Sequence, residues 1–235
     1  MLHVSLARKA FAELIGSTLL AATVIGSGIA AQRLSPKDIG LQLLENSVVT
    51  GAGLVALILA LSPVSAAFNP IVTLVERALG AVTSRAAAVL IAAQVAGCCL
   101  GAILANAMYG IPAIDISTHH RGSGPVWLGE VVATFGLIVV IFGVARSASP
   151  RMVPFAVGGY ITAAYWFTSS TSFANPAITL GRMLSDTFAG IAPDSVPAFV
   201  AFQLLGGALA LGAIALLYPN ARSTAAAVAT TTGDL

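Results

Sequence analysis

The stretch "SSTSFANPAITLGR", residues 169–182, breaks a hydrophobic chain at a point where a membrane span could have run on. Pro176 donates no backbone hydrogen bond and biases Asn175 away from helical geometry, so no helix passes smoothly through it. A weaker copy, "VSAAFNPIVTLVER", occupies residues 64–77. In each copy a helix can restart at the proline, "PIVTLVERALG" after Asn69 and "PAITLGRMLSD" after Asn175. Pro70 and Pro176 then take the favoured first helical position and the asparagines become caps. About ten residues are too few to cross a bilayer. Irregular backbone at membrane depth is tolerated only when buried in protein or lining a water-filled cavity. Each Asn-Pro is therefore read as the start of a re-entrant half-helix.

Working outward, the composition places the chain in a membrane. Of 235 residues, 57% are hydrophobic and 9% charged, where a soluble domain is roughly a quarter charged. Apolar stretches of the required length, about 20 residues, run over 7–31, 40–62, 86–110, 126–146, 152–168 and 196–218. The expected fold class is an all-α membrane protein with six transmembrane helices and two half-helices, the lipid bilayer being its first partner. The apolar part of the first span, from Phe11 to Ala31, is longer than a signal-peptide core and contains Glu13, so it is read as a retained helix.

Cytoplasmic loops carry the excess of Lys and Arg. With the N-terminus inside, the inner side holds Arg8, Lys9, Arg77, Arg85, Arg146, Arg151 and Arg222, and the outer side holds Arg33, Lys37, Arg121 and Arg182. Both termini are accordingly expected on the cytoplasmic side. The basic residues are dispersed and form no patch interleaved with aromatics, which excludes nucleic acid as a partner. Cys98 and Cys99 are adjacent and diverge on a helix, so they are read as small core residues. His119 and His120, in "STHHRGSG", lack further ligands at metal-site spacing, and no metal or cofactor is expected. The tail, residues 219–235, is small and polar without an apolar face, and reads as disordered.

The chain also repeats itself. "AELIGSTLL" lies on "GEVVATFGL", pairing Glu13 with Glu130 and Ser17 with Thr134; "FNPIVTL" matches "ANPAITL", and "AAQVAG" matches "AFQLLG", pairing Gln94 with Gln203. Equivalent points are three spans apart, an odd number, so the halves are inverted across the membrane. The expected organisation is a single channel domain over 1–218, with repeats at about 7–110 and 126–218. The half-helices then meet N-terminus to N-terminus near the midplane. Each such end carries roughly half a positive elementary charge, which opposes cations and leaves neutral solutes unpenalised.

With two Asn-Pro motifs, paired glutamates and glutamines and six inverted spans, residues 7–218 resemble the aquaporin (major intrinsic protein) family. The resemblance implies a homotetramer with one pore per subunit, passing water or small uncharged solutes. It implies that Asn69 and Asn175 donate hydrogen bonds to the passing molecule while capping their helices, and that Glu13 and Glu130 hold the backbone of the re-entrant loops. Ala177 completes the second motif. The first motif departs from the family pattern, with Ile71 adding bulk where the half-helices of the family touch through small side chains.

The second departure concerns selectivity. The position after the second motif, an arginine in most of the family, is Ile178, and Thr179 stands where glycerol-conducting relatives add an aspartate. Arg182 lies one helical turn further on and is read as an outer-mouth residue. The remaining constriction positions are expected at Thr50 or Val49, at Ala163 or Tyr165 (with Trp166 a further aromatic candidate), and at Ser172 or Phe173. None of these is basic, which implies a hydrophobic or weakly polar filter. Together with "ITAAYWFTSSTSFANPA", the missing arginine resembles bacterial aquaglyceroporin-like channels associated with arsenic resistance. That likeness implies glycerol-like polyols and arsenous acid or methylated arsenicals as cargo. The competing reading is a gated secondary transporter with a midplane site, since such proteins also use inverted repeats and broken helices. An enzyme is excluded for want of a nucleophile and base or a metal cluster in the spans.

Overall fold

Short polar residues start several of the helices. Ser5 accepts a hydrogen bond from the Arg8 amide, Asp38 from that of Leu41 at 2.9 Å and Thr83 from that of Ala86 at 3.2 Å, each satisfying a donor that the first turn leaves without a partner. The computed structural model describes residues 4–146 and 150–218. The helices are α1 (Leu6–Leu34), α2 (Ile39–Leu61), α3 (Pro70–Ala78), α4 (Ser84–Met108), α5 (Gly124–Ala145), α6 (Val153–Phe167), α7 (Pro176–Arg182) and α8 (Val196–Leu217). The described residues contain no strand. The expected tail, 219–235, lies outside the described residues.

Helices α1, α2, α4 and α5, and α8 with the short turn before it, are long and apolar enough to cross a membrane. The sixth expected span, 152–168, is α6, and its 15 residues extend only about 22 Å at 1.5 Å per residue. A 3₁₀ turn at Pro150–Met152 precedes it, and its end at Thr168 is where the chain turns into the second loop. The half-helices are also shorter than the sequence suggests, α3 having nine residues and α7 seven. Helix α7 stops at Arg182 because the amides of Met183 and Leu184 turn back to the carbonyls of Leu180 and Gly181.

The second half repeats the packing of the first. Helix α1 lies along α4 as α5 lies along α8. Glycine permits both crossings: a Cβ on Gly97 would meet the Leu14 carbonyl oxygen at 2.5 Å, and one on Gly206 the Val131 carbonyl oxygen at 2.6 Å. Helix α6 packs between α2 and α5, and the two half-helices touch each other in the centre. Around them a continuous apolar core joins Phe68, Ile71, Ile138, Phe142, Ala177 and Ile214.

Candidate pore and constriction

The two loops that descend to the half-helices leave backbone N–H groups without helical partners, and a buried donor left unpaired costs about 1–3 kcal/mol. A glutamate from each half meets this need. Glu13, fully buried, accepts from Ser65 Oγ, from the amides of Ala67 (2.8 Å) and Phe68 (2.7 Å), and from Gln94 Nε2 (2.8 Å). Glu130, equally buried, accepts from the amides of Phe173 (2.9 Å) and Ala174 (2.9 Å) and from Gln203 Nε2. Gln94 also donates to Thr73 Oγ1 at 3.0 Å, and Gln203 to Thr179 Oγ1 at 2.9 Å. Both carboxylates therefore face only donors.

Immediately before each asparagine the backbone turns through the left-handed region, at Phe68 (φ 48°) and Ala174 (φ 47°). Asn69 Oδ1 accepts from the Ile71 amide at 2.9 Å, and Asn175 Oδ1 from those of Ala177 (3.0 Å) and Ile178 (3.3 Å). Each asparagine then reaches across: Asn69 Nδ2 donates to the Ala174 carbonyl at 2.8 Å and Asn175 Nδ2 to the Phe68 carbonyl at 2.7 Å. This exchange ties the loops together at the point where the half-helices begin. An amide nitrogen has two hydrogens, so each asparagine keeps one after this bond, and both residues line the same cavity. Pro70, Pro176 and Ala177 stand beside them, buried.

That cavity holds about 300 Å³ and runs from Lys9, Glu76 and Arg151 at one end, past Asn69 and Asn175, to Thr50, Tyr165, Ser172, Phe173, Ile178 and Arg182 at the other. Its middle is walled by Leu137, Val157 and Ile161. Ile71 does not force the half-helices apart. It packs against α8 at Gly207, where an added Cβ would meet Ile71 Cγ2 at 2.5 Å.

At the end lined by Phe173 and Ile178 the sequence reading needs correction. Ala163 is exposed on the other side of α6 and does not line the cavity; Ile161 and Tyr165, four residues apart and so on one helix face, do. Val49 and Trp166 likewise point outward, 45% and 50% exposed, with Trp166 Nε1 donating to Ser47 Oγ. Thr50 is buried and its hydroxyl lies 3.3 Å from that of Tyr165. The larger correction is Arg182. It is 2% exposed, lines the cavity beside Ile178, and lays its guanidinium 3.4 Å from the Phe173 ring centre, its Nε donating to the Ala189 carbonyl.

Arg121 is a second basic residue, which the sequence reading only counted on the outer side. Its guanidinium lies 5.2 Å from the same ring and donates to the carbonyls of Gly190 (2.9 Å) and Phe188 (3.2 Å). Burial lowers it to about 10, so it stays charged at neutral pH. Phe173 is in turn braced edge-on by Phe199 at 5.0 Å. Nothing local in "HHRGSG" signals this, because the arginine's partners lie almost seventy residues away. In the same loop His120 pairs with Asp194 at 3.0 Å.

A bundle of apolar helices, two half-helices abutting at paired asparagines, and a cavity through that junction define a multi-pass membrane channel rather than an enzyme. The major intrinsic protein family matches residues 1–174, and the chain belongs to that family. It is 46% identical to aquaglyceroporin AqpS of Rhizobium meliloti (strain 1021) over 223 residues, which covers 94% of this chain and 95% of that one. It is 30% identical to the probable aquaporin AqpM of Archaeoglobus fulgidus over 215 residues, 80% of this chain and 87% of the other. Among solved structures, the aquaglyceroporin from Plasmodium falciparum has the same fold, with a TM-score of 0.72 at 18% identity, covering 92% of this chain and 99% of that chain.

Proposed function

We propose that this channel passively conducts small uncharged solutes, water and glycerol-like polyols among them, with arsenous acid and methylated arsenicals as further cargo of the same shape and hydroxyl pattern. The observation that carries the reading is the asparagine pair: each caps one half-helix, binds the opposite loop, and keeps a further N–H while lining one shared cavity. A solute passing there exchanges hydration for hydrogen bonds without changing charge. Ile178 beside the second motif adds an apolar wall where most of the family has arginine, which favours solutes with a hydrocarbon or otherwise weakly hydrated face. In this reading the functional unit is a homotetramer in a bacterial inner membrane, with both termini cytoplasmic.

A coupled transporter would need a titratable or ion-binding group free at the midplane, and both buried glutamates there are occupied by donors. Stopped-flow swelling of proteoliposomes separates the two. Expected are non-saturating fluxes of glycerol and arsenous acid that persist when the proton gradient is collapsed; saturation, or loss with the gradient, would overturn the channel reading. In the same assay Ile178→Arg is expected to cut glycerol flux about tenfold, a barrier change of about 1.4 kcal/mol. Unchanged flux of the larger solutes would refute the part assigned to Ile178.

A further inference from the structure

We propose that Arg182 is the specificity-determining cation of this pore, acting from one helical turn beyond the motif and binding the oxygen atoms of a small hydroxylated solute. The proposal rests on the channel reading above and adds to it a charged site that the motif positions do not contain. Three observations carry it.

The residue is buried and lines the cavity, and its guanidinium sits against the ring of Phe173, which lines the same cavity. Among the described residues its one hydrogen bond is from Nε to the Ala189 carbonyl, so its two terminal nitrogens, with four N–H donors between them, have no protein acceptor. No carboxylate lies within ion-pair distance of it among those residues; the acid nearest in the chain, Asp186, instead binds the amide and hydroxyl of Thr118. Buried charges are ordinarily paired, and this one is left open toward the cavity.

The surrounding chemistry fits a solute with two faces. Ser172 Oγ is buried without a partner and belongs to the same wall, as do the paired hydroxyls of Thr50 and Tyr165. Ile178 and Ile161 form the apolar part of the lining. A polyol offers oxygen lone pairs to the guanidinium and hydroxyls while its carbon chain lies on the isoleucines. A cation of equal size meets an unneutralised guanidinium, with Arg121 adding a second positive charge behind Phe173.

The position is held from outside the half-helix. The loop after α7 folds back so that the Ile191 amide donates to the Arg182 carbonyl, the Ala192 amide to that of His119, and Ala189 packs against Gly28 of α1. With Nε held by Ala189, the side chain is directed back along α7 instead of outward into solvent.

Full-length protein in proteoliposomes tests this with Arg182→Gln, Arg182→Met and Arg182→Lys, each first checked for monodisperse elution. The readouts are fluxes of water, glycerol and methylammonium. For Arg182→Gln, which keeps donors and loses charge, the expected result is methylammonium flux raised at least about tenfold, with glycerol flux retained within about threefold. Arg182→Met is expected to gain the same cation leak and also to lower the glycerol-to-water ratio by about tenfold; Arg182→Lys is expected to restore cation exclusion. Folded neutral variants that still exclude methylammonium and keep the wild-type glycerol-to-water ratio would overturn the proposal. If the neutral variants do not fold, Arg182→Lys decides it through geometry, since a point charge cannot reproduce the planar fork: a glycerol-to-water ratio unchanged from wild type overturns the proposal, and a shift of threefold or more supports it. A wild-type channel that passes no glycerol refutes the underlying channel reading instead, and is recognised before any variant is compared.

Discussion

The two re-entrant loops share a scaffold and differ in what is built on it. In both, a glutamate gathers loop amides, a glutamine links that glutamate to a threonine on the half-helix, and an asparagine crosses to the opposite loop. Above this common base the first loop carries less backbone strain. Phe68 is its one residue with positive φ, and Ser65, Ala66 and Ala67 line the cavity. The second loop carries three such residues, Thr171, Ser172 and Ala174, and the guanidiniums of two arginines pack on the ring of its Phe173. Backbone strain of this kind persists where surrounding structure over-determines it. The inverted repeat thus supplies a symmetric support, and the departure from symmetry is concentrated in the second loop.

The largest expected effect tests whether the supports are equivalent. Glu13 accepts from four donors and Glu130 from three. Replacing either by glutamine turns an NH₂ group toward N–H donors in a dry interior. A broken buried charge network costs about 3–5 kcal/mol, so both Glu13→Gln and Glu130→Gln are expected to lose most monodisperse protein on detergent extraction. Glu13→Gln should be the more severe. A folded, conducting Glu13→Gln would break the idea that the glutamates are the common base.

Next in size is a packing exchange between the halves. Ile71 of α3 sits against Gly207 of α8, while at the equivalent positions of the repeat α7 has Ala177 and α4, four residues after Gln94, has Cys98. Bulk has moved from one helix to the other. Ile71→Ala is expected to lower stability by about 2–4 kcal/mol through the space it leaves. Ile71→Ala with Gly207→Cys reproduces the Ala177 and Cys98 combination of the equivalent positions and should recover at least about 1 kcal/mol of that loss. Thermal unfolding in detergent measures both; no recovery would mean that the exchange is not compensatory.

The same contrast explains how far the sequence could be read. Local rules reached the shared base, because Asn-Pro, a cap and a paired glutamate are each legible from neighbours or from the repeat itself. The resemblance to the family, and not local rules, offered Thr50, Tyr165, Ser172 and Phe173, all of which line the cavity. It also offered Ala163, because a gapped alignment does not fix helix phase, whereas Ile161 and Tyr165 share a face by spacing alone. Arg182 was misplaced for a different reason. Counting the rise of one turn, about 5.4 Å, followed the backbone outward and ignored the length of the side chain and the Ala189 carbonyl that holds it in place. That carbonyl comes from a loop that packs on α1 and on residues 115–119, contacts with no local signature. Ile178 alone suggested a lining without a cation; in the folded chain Arg182, from the next turn, lines the same cavity.

The smallest effect should have opposite signs in the two loops. Four residues before each asparagine stand Ser65 and Thr171. Ser65 Oγ donates to Glu13 and its backbone is not in the left-handed region. Thr171 is β-branched with φ 59°, a conformation that costs about 1–3 kcal/mol and that asparagine adopts more readily than threonine. Thr171→Asn is therefore expected to stabilise the protein by about 1 kcal/mol, and Ser65→Asn, which relieves no strain and loses the bond to Glu13, to destabilise it by about 1 kcal/mol. A shift of the melting temperature in the same direction for both would show that strain is not what distinguishes the second loop. Opposite shifts, with glycerol flux unchanged in Thr171→Asn, would place the strain in the chain path that delivers Phe173 to the pore and not in the side chain of Thr171 itself.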